Sequence, residues 1–429
     1  MRFVWMFASI ALAGASFAAE TAPSGMPLSA AQAQALALER NYDLAIAKST
    51  VASARANVLS AGAAPNPVLG LSTSSINLGG HNGSGPLWRK SVDSIVSVTQ
   101  LIERGGKREL RRENAEHQVR AADADLRDVQ RQLKLMVAAA YADLHVAQDR
   151  LAATRDAAQL LDTILSATQV RRKAGDIAGA DVERVRVDVL RARNEVASAE
   201  AELQRARRAL ALLLNERERA DVLEAADSWP ALDEAVLPSA QSVQTIVDRR
   251  ADVLAAAARV DAAASGTKLA ESLRTRDVSV GLQYEHYPQP RSNDNSSGNT
   301  LGVSLQVPLF TRYYYEGEIG GSLAALDMAK ENLARTRAAA EADVSTALAA
   351  LKGAAERVRR NRDELLVAAE KAAAAAEYAY KNGAVGVIDM LDARRTLRAT
   401  RLDALAALAD FSKALASWRA ATETTDNSQ

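Results

Sequence analysis

Residues 277–285, DVSVGLQYE, and 300–309, TLGVSLQVPL, decide how this chain is read. In the first, Val278, Val280, Leu282 and Tyr284 alternate with Ser279, Gly281 and Gln283. In the second, Leu301, Val303, Leu305, Val307 and Leu309 take every other place. A period of two sustained over such a length predicts a strand with one apolar face and one small or polar face. The polar stretch 288–298, rich in Pro, Asn and Ser, joins the two. A weaker copy lies at 68–78 and 92–102, joined by 79–90, its alternation blurred by serine and glycine. Strands of ~9–11 residues with these two faces fit the transmembrane β-barrel pattern. Phe310, Tyr313, Tyr314 and Tyr315 follow the last strand, where an interfacial aromatic girdle would lie. A soluble hairpin cap with a tyrosine cluster is the other reading these residues permit.

Working outward, each strand pair feeds a long helical stretch without proline, about 107–173 and about 320–381. At ~1.5 Å per residue each is a rod of roughly 100 Å, far longer than a globular core requires. Beyond the first rod Val182, Val189, Val196, Leu203 and Leu210 recur every seven residues, with Val185, Ala192, Ala199, Ala206 and Leu213 three places after each. A shift of 208 carries this heptad onto Met390, Leu397, Ala404, Phe411 and Trp418. The same shift brings Gly175 onto Gly383 and Asp181 onto Asp389. The halves share one plan: two strands, then a helical hairpin that turns at 175–179 or 383–386. Four strands cannot close a barrel, and open sheet edges cannot sit in lipid, so a trimer of about twelve strands is the simplest closed form.

Composition narrows the function. The chain has 429 residues, 48% hydrophobic but only 4% aromatic, the alanine- and leucine-rich mix of long helices packed side by side. Lys+Arg and Asp+Glu stand at 53 each, which leaves no surplus positive charge for a nucleic acid. There is no cysteine, hence no disulfide, thiolate nucleophile or Cys-bound metal. His81, His117, His145 and His286 lie too far apart in this layout for a shared metal site, and no catalytic constellation or cofactor is expected. Residues 1–18 have a basic residue, an apolar run and small residues ending at Ala18, the layout of a secretory signal peptide; an N-terminal anchor is the alternative. After residue 19 no run approaches the ~20 apolar residues of a spanning helix, so membrane insertion would use strands.

Taken together these features resemble the TolC family of trimeric outer-membrane efflux ducts. The resemblance implies a mainly α fold with a membrane β-barrel part, built from two repeats of strand, strand and helical hairpin. Three chains would give a 12-stranded barrel and a long α-helical barrel in the periplasm. On that plan residues 1–18 are the signal peptide, 19–64 an N-terminal equatorial segment and 65–104 the first barrel hairpin. Residues 105–214 are the first helical hairpin with its tip near 175–181, 215–250 an equatorial connector, and 251–276 a helix leading to the barrel. Residues 277–312 are the second barrel hairpin, 313–420 the second helical hairpin with its tip near 383–392, and 421–429 a disordered tail.

The most specific local match is Tyr380, Gly383, Asp389, Leu391, Asp392 and Ala393. In TolC-like proteins such aspartates ring the constriction at the periplasmic tip, so the resemblance implies a gate of Asp389 and Asp392, with Asp181 helping to hold it shut. Gly175, Gly179, Tyr380, Gly383 and Gly386 would form the tip turns where an adaptor docks. The arginine latch of the family member with the best-described closed tip has no counterpart, since Val385 holds its position. Asp389 and Asp392, three apart, share one helix face, and three copies would crowd like charge around the axis and attract cations. Pro65-Asn66-Pro67, Gln100 and Gly105-Gly106-Lys107-Arg108 resemble the branch of the family that exports heavy-metal cations. For the last motif a barrel-to-helix bend with basic residues near lipid headgroups is the simpler expectation. The implied partners are two further copies, a periplasmic adaptor, an inner-membrane pump of the RND type and outer-membrane lipid. Export of organic toxicants through the same kind of duct, or a periplasmic coiled-coil adaptor or scaffold, are the competing readings.

Overall fold

The computed structural model describes residues 26–80, 82–86, 90, 92–232, 243–286 and 298–424. The expected leader at 1–18, His81, nearly all of the loop 288–298 and the end of the tail lie outside the described residues. The chain runs β1 (Met26–Leu28), α1 (Ala30–Arg40), α2 (Tyr42–Ala61), β2 (Val68–Ser74), β3 (Asp93–Ile102), α3 (Lys107–Lys173) and α4 (Gly179–Leu214). It continues through β4 (Leu223–Ala225), α5 (Val243–Asp248), α6 (Ala251–Ser272), β5 (Val278–His286) and β6 (Asn299–Gln306). It ends with α7 (Glu316–Arg360), a π turn at Asn361–Leu365, α8 (Leu366–Lys381) and α9 (Val387–Thr422).

The four long strands form one antiparallel sheet in the order β2-β3-β5-β6. Its register sorts the side chains by face. One face carries the rows Leu71, Val96, Tyr284, Leu301 and Leu69, Val98, Leu282, Val303. The other carries Gly70, Ser97, Gln283, Gly302 and Val68, Thr99, Gly281, Ser304. Among the described residues nothing packs on the apolar face: Val303 is 78% and Leu71 73% exposed. Two strands stop short of their expected ends. The last pairs only to Gln306, because Pro308 has no N–H to give the ladder. The first stops at Ser74, where Ser75 turns into the left-handed region (φ 62°) and its hydroxyl donates to Asp93.

Below the sheet the helices stand four abreast. Next to the sheet the order is α2, α3, α6, α7; toward the far end it is α4, α3, α9 and then α7 continued by α8. The first hairpin is therefore unequal: α3 has 67 residues and α4 only 36, and the part of α3 beyond α4's reach is covered by α2 and α6. The N-terminal segment, expected over 19–64, holds two helices. Asn41 ends the first in an extended conformation and caps the second, its Oδ1 accepting from the Asp43 and Leu44 N–H groups at 2.9 and 3.3 Å. Its Nδ2 donates to the Leu213 carbonyl (3.0 Å), which fixes the break against α4.

Around the middle of the rods lies a short parallel pair, β1 with β4, which the sequence pattern does not announce. Leu28, Leu44, Leu133, Val137, Leu210, Leu214 and Leu223 bury together beneath it. Tyr141 ties the layer, donating to the Leu28 carbonyl at 2.9 Å and accepting from the Ala226 and Asp227 N–H groups. His145 stacks flat on Trp229, whose Nε1 donates to Asp149 (2.8 Å). Burial holds the His145 pKa below its ordinary value, and the flat stack seats the connector on α3. In the second repeat Val344, Leu351, Val358, Phe411, Leu415 and Trp418 form the matching core.

Candidate functional site: the sheet junction and the tip

Where β3 passes into α3 the chain spends two glycines. Gly105 and Gly106 both have positive φ (76° and 69°), and a Cβ on Gly105 would sit 2.7 Å from that of Thr275. The bend turns Lys107 inward. It is only 6% exposed, and its Nζ donates to the Thr275 carbonyl and to Asp277 Oδ1, both at 2.8 Å. Asp277 also accepts from the Arg104 N–H at 2.9 Å. Burial alone would raise the Asp277 pKa, but the Lys107 ammonium and the Arg104 N–H outweigh it and hold the carboxyl low. Beside them Arg111 grips Glu103 through both carboxylate oxygens, at 2.5 and 2.8 Å. The expected strand-to-helix bend is present, but of its two basic residues Lys107 turns inward as a bolt between the two repeats, and Arg108 is the exposed one, donating to the Gly62 carbonyl. Gln100 belongs to the same joint, its Nε2 donating to the Pro65 carbonyl (2.8 Å).

The aromatic group after β6 occupies the equivalent bend of the second repeat. Phe310 meets Tyr314 and Tyr315 edge-on, and Arg276 lies over its ring at 5.3 Å. Tyr315 takes the left-handed conformation (φ 64°) that Gly106 takes in the first repeat. Tyr313 donates to Glu318 and accepts from the Gly317 N–H, supplying the cap that Tyr315 does not.

At the opposite end the repeat is reproduced bond for bond. The Asp176 N–H reaches back to the Arg171 carbonyl at 2.9 Å, and 208 residues later the Ala384 N–H reaches Ala379 at 2.8 Å. Each is the long bond of a helix-ending motif that needs a left-handed residue, and Gly175 (φ 85°) and Gly383 (φ 75°) supply it. Gly179 and Gly386 are different: Gly179 begins α4, while Gly386 is extended and precedes α9, its N–H donating to Asp389 Oδ2 at 3.2 Å. Asp389 is thus exposed and also caps its helix. Asp392 is exposed and lies 3.6 Å from Arg395, and Asp181 lies 3.7 Å from Arg184.

Between the hairpins the tip is sealed by Val185, Val387, Met390 and Leu391, with Leu161, Ile164, Leu165 and Tyr380 against them. Polar links run across the same seam. Arg171 donates to the Tyr380 hydroxyl (2.9 Å) and lies over its ring. Arg395 donates to Asp188 at 2.5 Å, and Asp188 is buried. Arg398 pairs with Glu195. These links, which join the two hairpins at residues other than Val385, are missed by a reading centred on the turn. Asp188 and Glu195 are seven apart, one heptad along the same edge of α4, the position from which charged residues bridge neighbouring helices. Among the described residues no group of three His, Asp or Glu side chains is placed to hold a metal ion, and no helix is long and apolar enough to cross a membrane.

Residues 34–216 and 243–423 match the family model described as outer membrane efflux protein. The cobalt-zinc-cadmium resistance protein CzcC of Cupriavidus metallidurans is 26% identical over 383 residues, covering 89% of this chain and 87% of CzcC. The crystal structure of CusC superposes with a TM-score of 0.77 at 19% identity, over 95% of this chain and 96% of that one. The outer membrane protein VceC of Vibrio cholerae does so with a TM-score of 0.74 at 20% identity, over 92% and 97%.

Proposed function

The chain belongs to the outer membrane efflux protein family, and from that premise we propose that three copies close into one duct, conducting cargo passively from a periplasmic adaptor and RND-type pump to the exterior. The observation that carries this reading is the agreement of three layers on where the molecule is unfinished. The sheet is open at β2 and β6, the upper helices at α2 and α7, the lower helices at α4 and α8. In every layer one edge belongs to the first repeat and the other to the second. Such edges pair head to tail and form a ring when the rotation closes, and a closed sheet is the form in which these strands can meet lipid. The apolar rows would face lipid, and the serine, glycine and glutamine rows would line the lumen.

The duct has no chemistry to perform on its cargo; its working parts are a polar lumen, a gate and a docking end. Heavy-metal cations are the cargo we favour, on the likeness to CzcC and on the Pro65–Pro67, Gln100 and Gly105–Arg108 segments that build the junction. We assign the constriction to Asp389 and Asp392, with Asp181 beside them and the turns at Gly175 and Gly383 as the docking end. Three copies of each aspartate around the axis would attract cations, and separation of the hairpins would relieve their mutual repulsion.

The test is block of single-channel current by multivalent cations added from the periplasmic side. Asp389→Asn with Asp392→Asn removes the charge and keeps the oxygen that caps Gly386, so folding is retained and the block is lost. Glu331→Gln with Glu341→Gln, both exposed on α7, keeps the block. Persistence of the block in the aspartate variant, or its loss in the control, contradicts the assignment.

A further inference from the structure

The two rods are within one residue of the same length but are not the same helix. Residues 107–173 are α-helical throughout, whereas 316–381 contain the π turn, in which the Leu366 N–H reaches back five residues to the Asn361 carbonyl. The cause is legible in the buried seam. Along α7 it runs Ala340, Val344, Ala347, Leu351, Ala354, Val358, in alternating steps of four and three, and reaches the buried Asn361. The next inward positions are Leu366, Ala369 and Ala373, while Leu365 stays exposed. A step of five stands where the heptad requires four. The rod carries one surplus residue, and the π turn absorbs it so that the seam resumes on the same face.

Packing changes at that level. On the sheet side of the turn α7 and α9 share the large core of Leu351, Val358, Phe411 and Trp418. On the tip side Ala369, Ala373 and Leu397 form a core of their own, two of its three members alanine. Next to it a groove of about 530 Å³ opens between α3 (Asp149 to Ile164), the first turns of α8 (Leu366, Glu370) and α9 (Leu391 to Leu408). At the same level α9 has Thr396 and Thr400 bonding back to the carbonyls of Asp392 and Thr396, at 3.0 and 2.9 Å, contacts that soften and bend helices. Within the limb α8 and α9 are tied by Glu370–Arg401 and Glu377–Arg394. The limb is thus coherent in itself; it meets the first hairpin at the tip core of Val185, Val387, Met390 and Leu391, and on the sheet side of that core the groove separates it from α3.

We propose that the π turn at Asn361–Leu365 is the pivot on which the tip limb, α8 with the tip-side part of α9, swings against the first hairpin when the duct opens. This rests on the tip being the gate. The groove behind the limb is the space the motion uses, and the Arg171–Tyr380, Asp188–Arg395 and Glu195–Arg398 contacts, with the apolar tip core that joins Val185 to Val387, Met390 and Leu391, are what it breaks.

Deleting Asp363 removes the surplus residue and converts the rod to a regular helix without moving the seam. The test places this deletion in a chain that also carries Asp188→Ala and Arg171→Ala and records single-channel conductance in planar bilayers. The expected result is raised conductance in the double variant and a return to the wild-type level once Asp363 is deleted. Conductance that stays raised after the deletion overturns the pivot while leaving the gate in place. A double variant no more conductive than wild type overturns the gate and the pivot with it. Hydrogen exchange on the unmodified trimer gives a second measure, independent of whether the deletion folds. Amides of 362–370 should exchange about ten-fold faster than those of 154–162, their counterparts in α3. Equal protection of the two stretches overturns the proposal.

Discussion

Lys107→Met destabilises the folded protein by about 2 kcal/mol, since Lys107 is buried and its partner Asp277 keeps only a quarter of its side-chain exposure. The loss follows from what remains. Asp277 keeps the Arg104 N–H but loses the ammonium that offsets its burial, and the Thr275 carbonyl loses its donor. Removing one partner of a buried pair strands the other, whereas replacing both by apolar groups costs little. Lys107→Met with Asp277→Leu should therefore recover most of the loss. Urea unfolding from lipid vesicles measures both, and a single variant within about 0.5 kcal/mol of wild type would refute the internal bolt. Because Lys107 opens the α3 rod and Asp277 precedes β5, the loss should fall on both repeats together.

Asp188→Ala with Arg171→Ala shifts the tip toward its open form by a factor on the order of a hundred per protomer. The buried carboxylate bonded to Arg395 is a charge-assisted contact of about 1.5–3 kcal/mol, and the Arg171–Tyr380 bond adds about 1 kcal/mol. Each 1.4 kcal/mol is about ten-fold in an equilibrium. The result is read as open probability in planar bilayers. Exchanging the charges, Asp188→Arg with Arg395→Asp, should restore wild-type conductance, a rescue that a merely structural role would not produce. Unchanged conductance in the Asp188/Arg171 variant would place the gate elsewhere.

The outer-membrane duct fold is legible in this sequence because its two periodicities are clean. The alternation at 278–286 and 299–306 and the heptads from Val182 and from Met390 each report a face that must be buried or must meet lipid. Gly175 and Gly383 are legible as turns because both adopt a backbone conformation that L side chains rarely take. What stays hidden is what depends on partners distant in sequence. The inward turn of Lys107 needs Asp277, 170 positions away, and β1 is too short to show a period until Leu223–Ala225 lies beside it. The links at Asp188 and Glu195 lie between these cases. Their seven-residue spacing is visible in the sequence, but nothing local says that Arg395 and Arg398 stand opposite. The π turn is also half-visible, as a stumble in the heptad after Val358.

Ring closure by three copies is tested most directly by cross-linking the edges that the sheet leaves open. The chain has no cysteine of its own, so Ser72→Cys in β2 and Ser304→Cys in β6 place the only two thiols on opposite edges of one molecule. Treated in outer membranes with a short bismaleimide, this variant should give a denaturing-gel ladder of dimer and trimer that stops at the trimer, and either single variant should give no ladder. A variant that stays monomeric, or a ladder that climbs past three, would contradict the closed twelve-stranded duct.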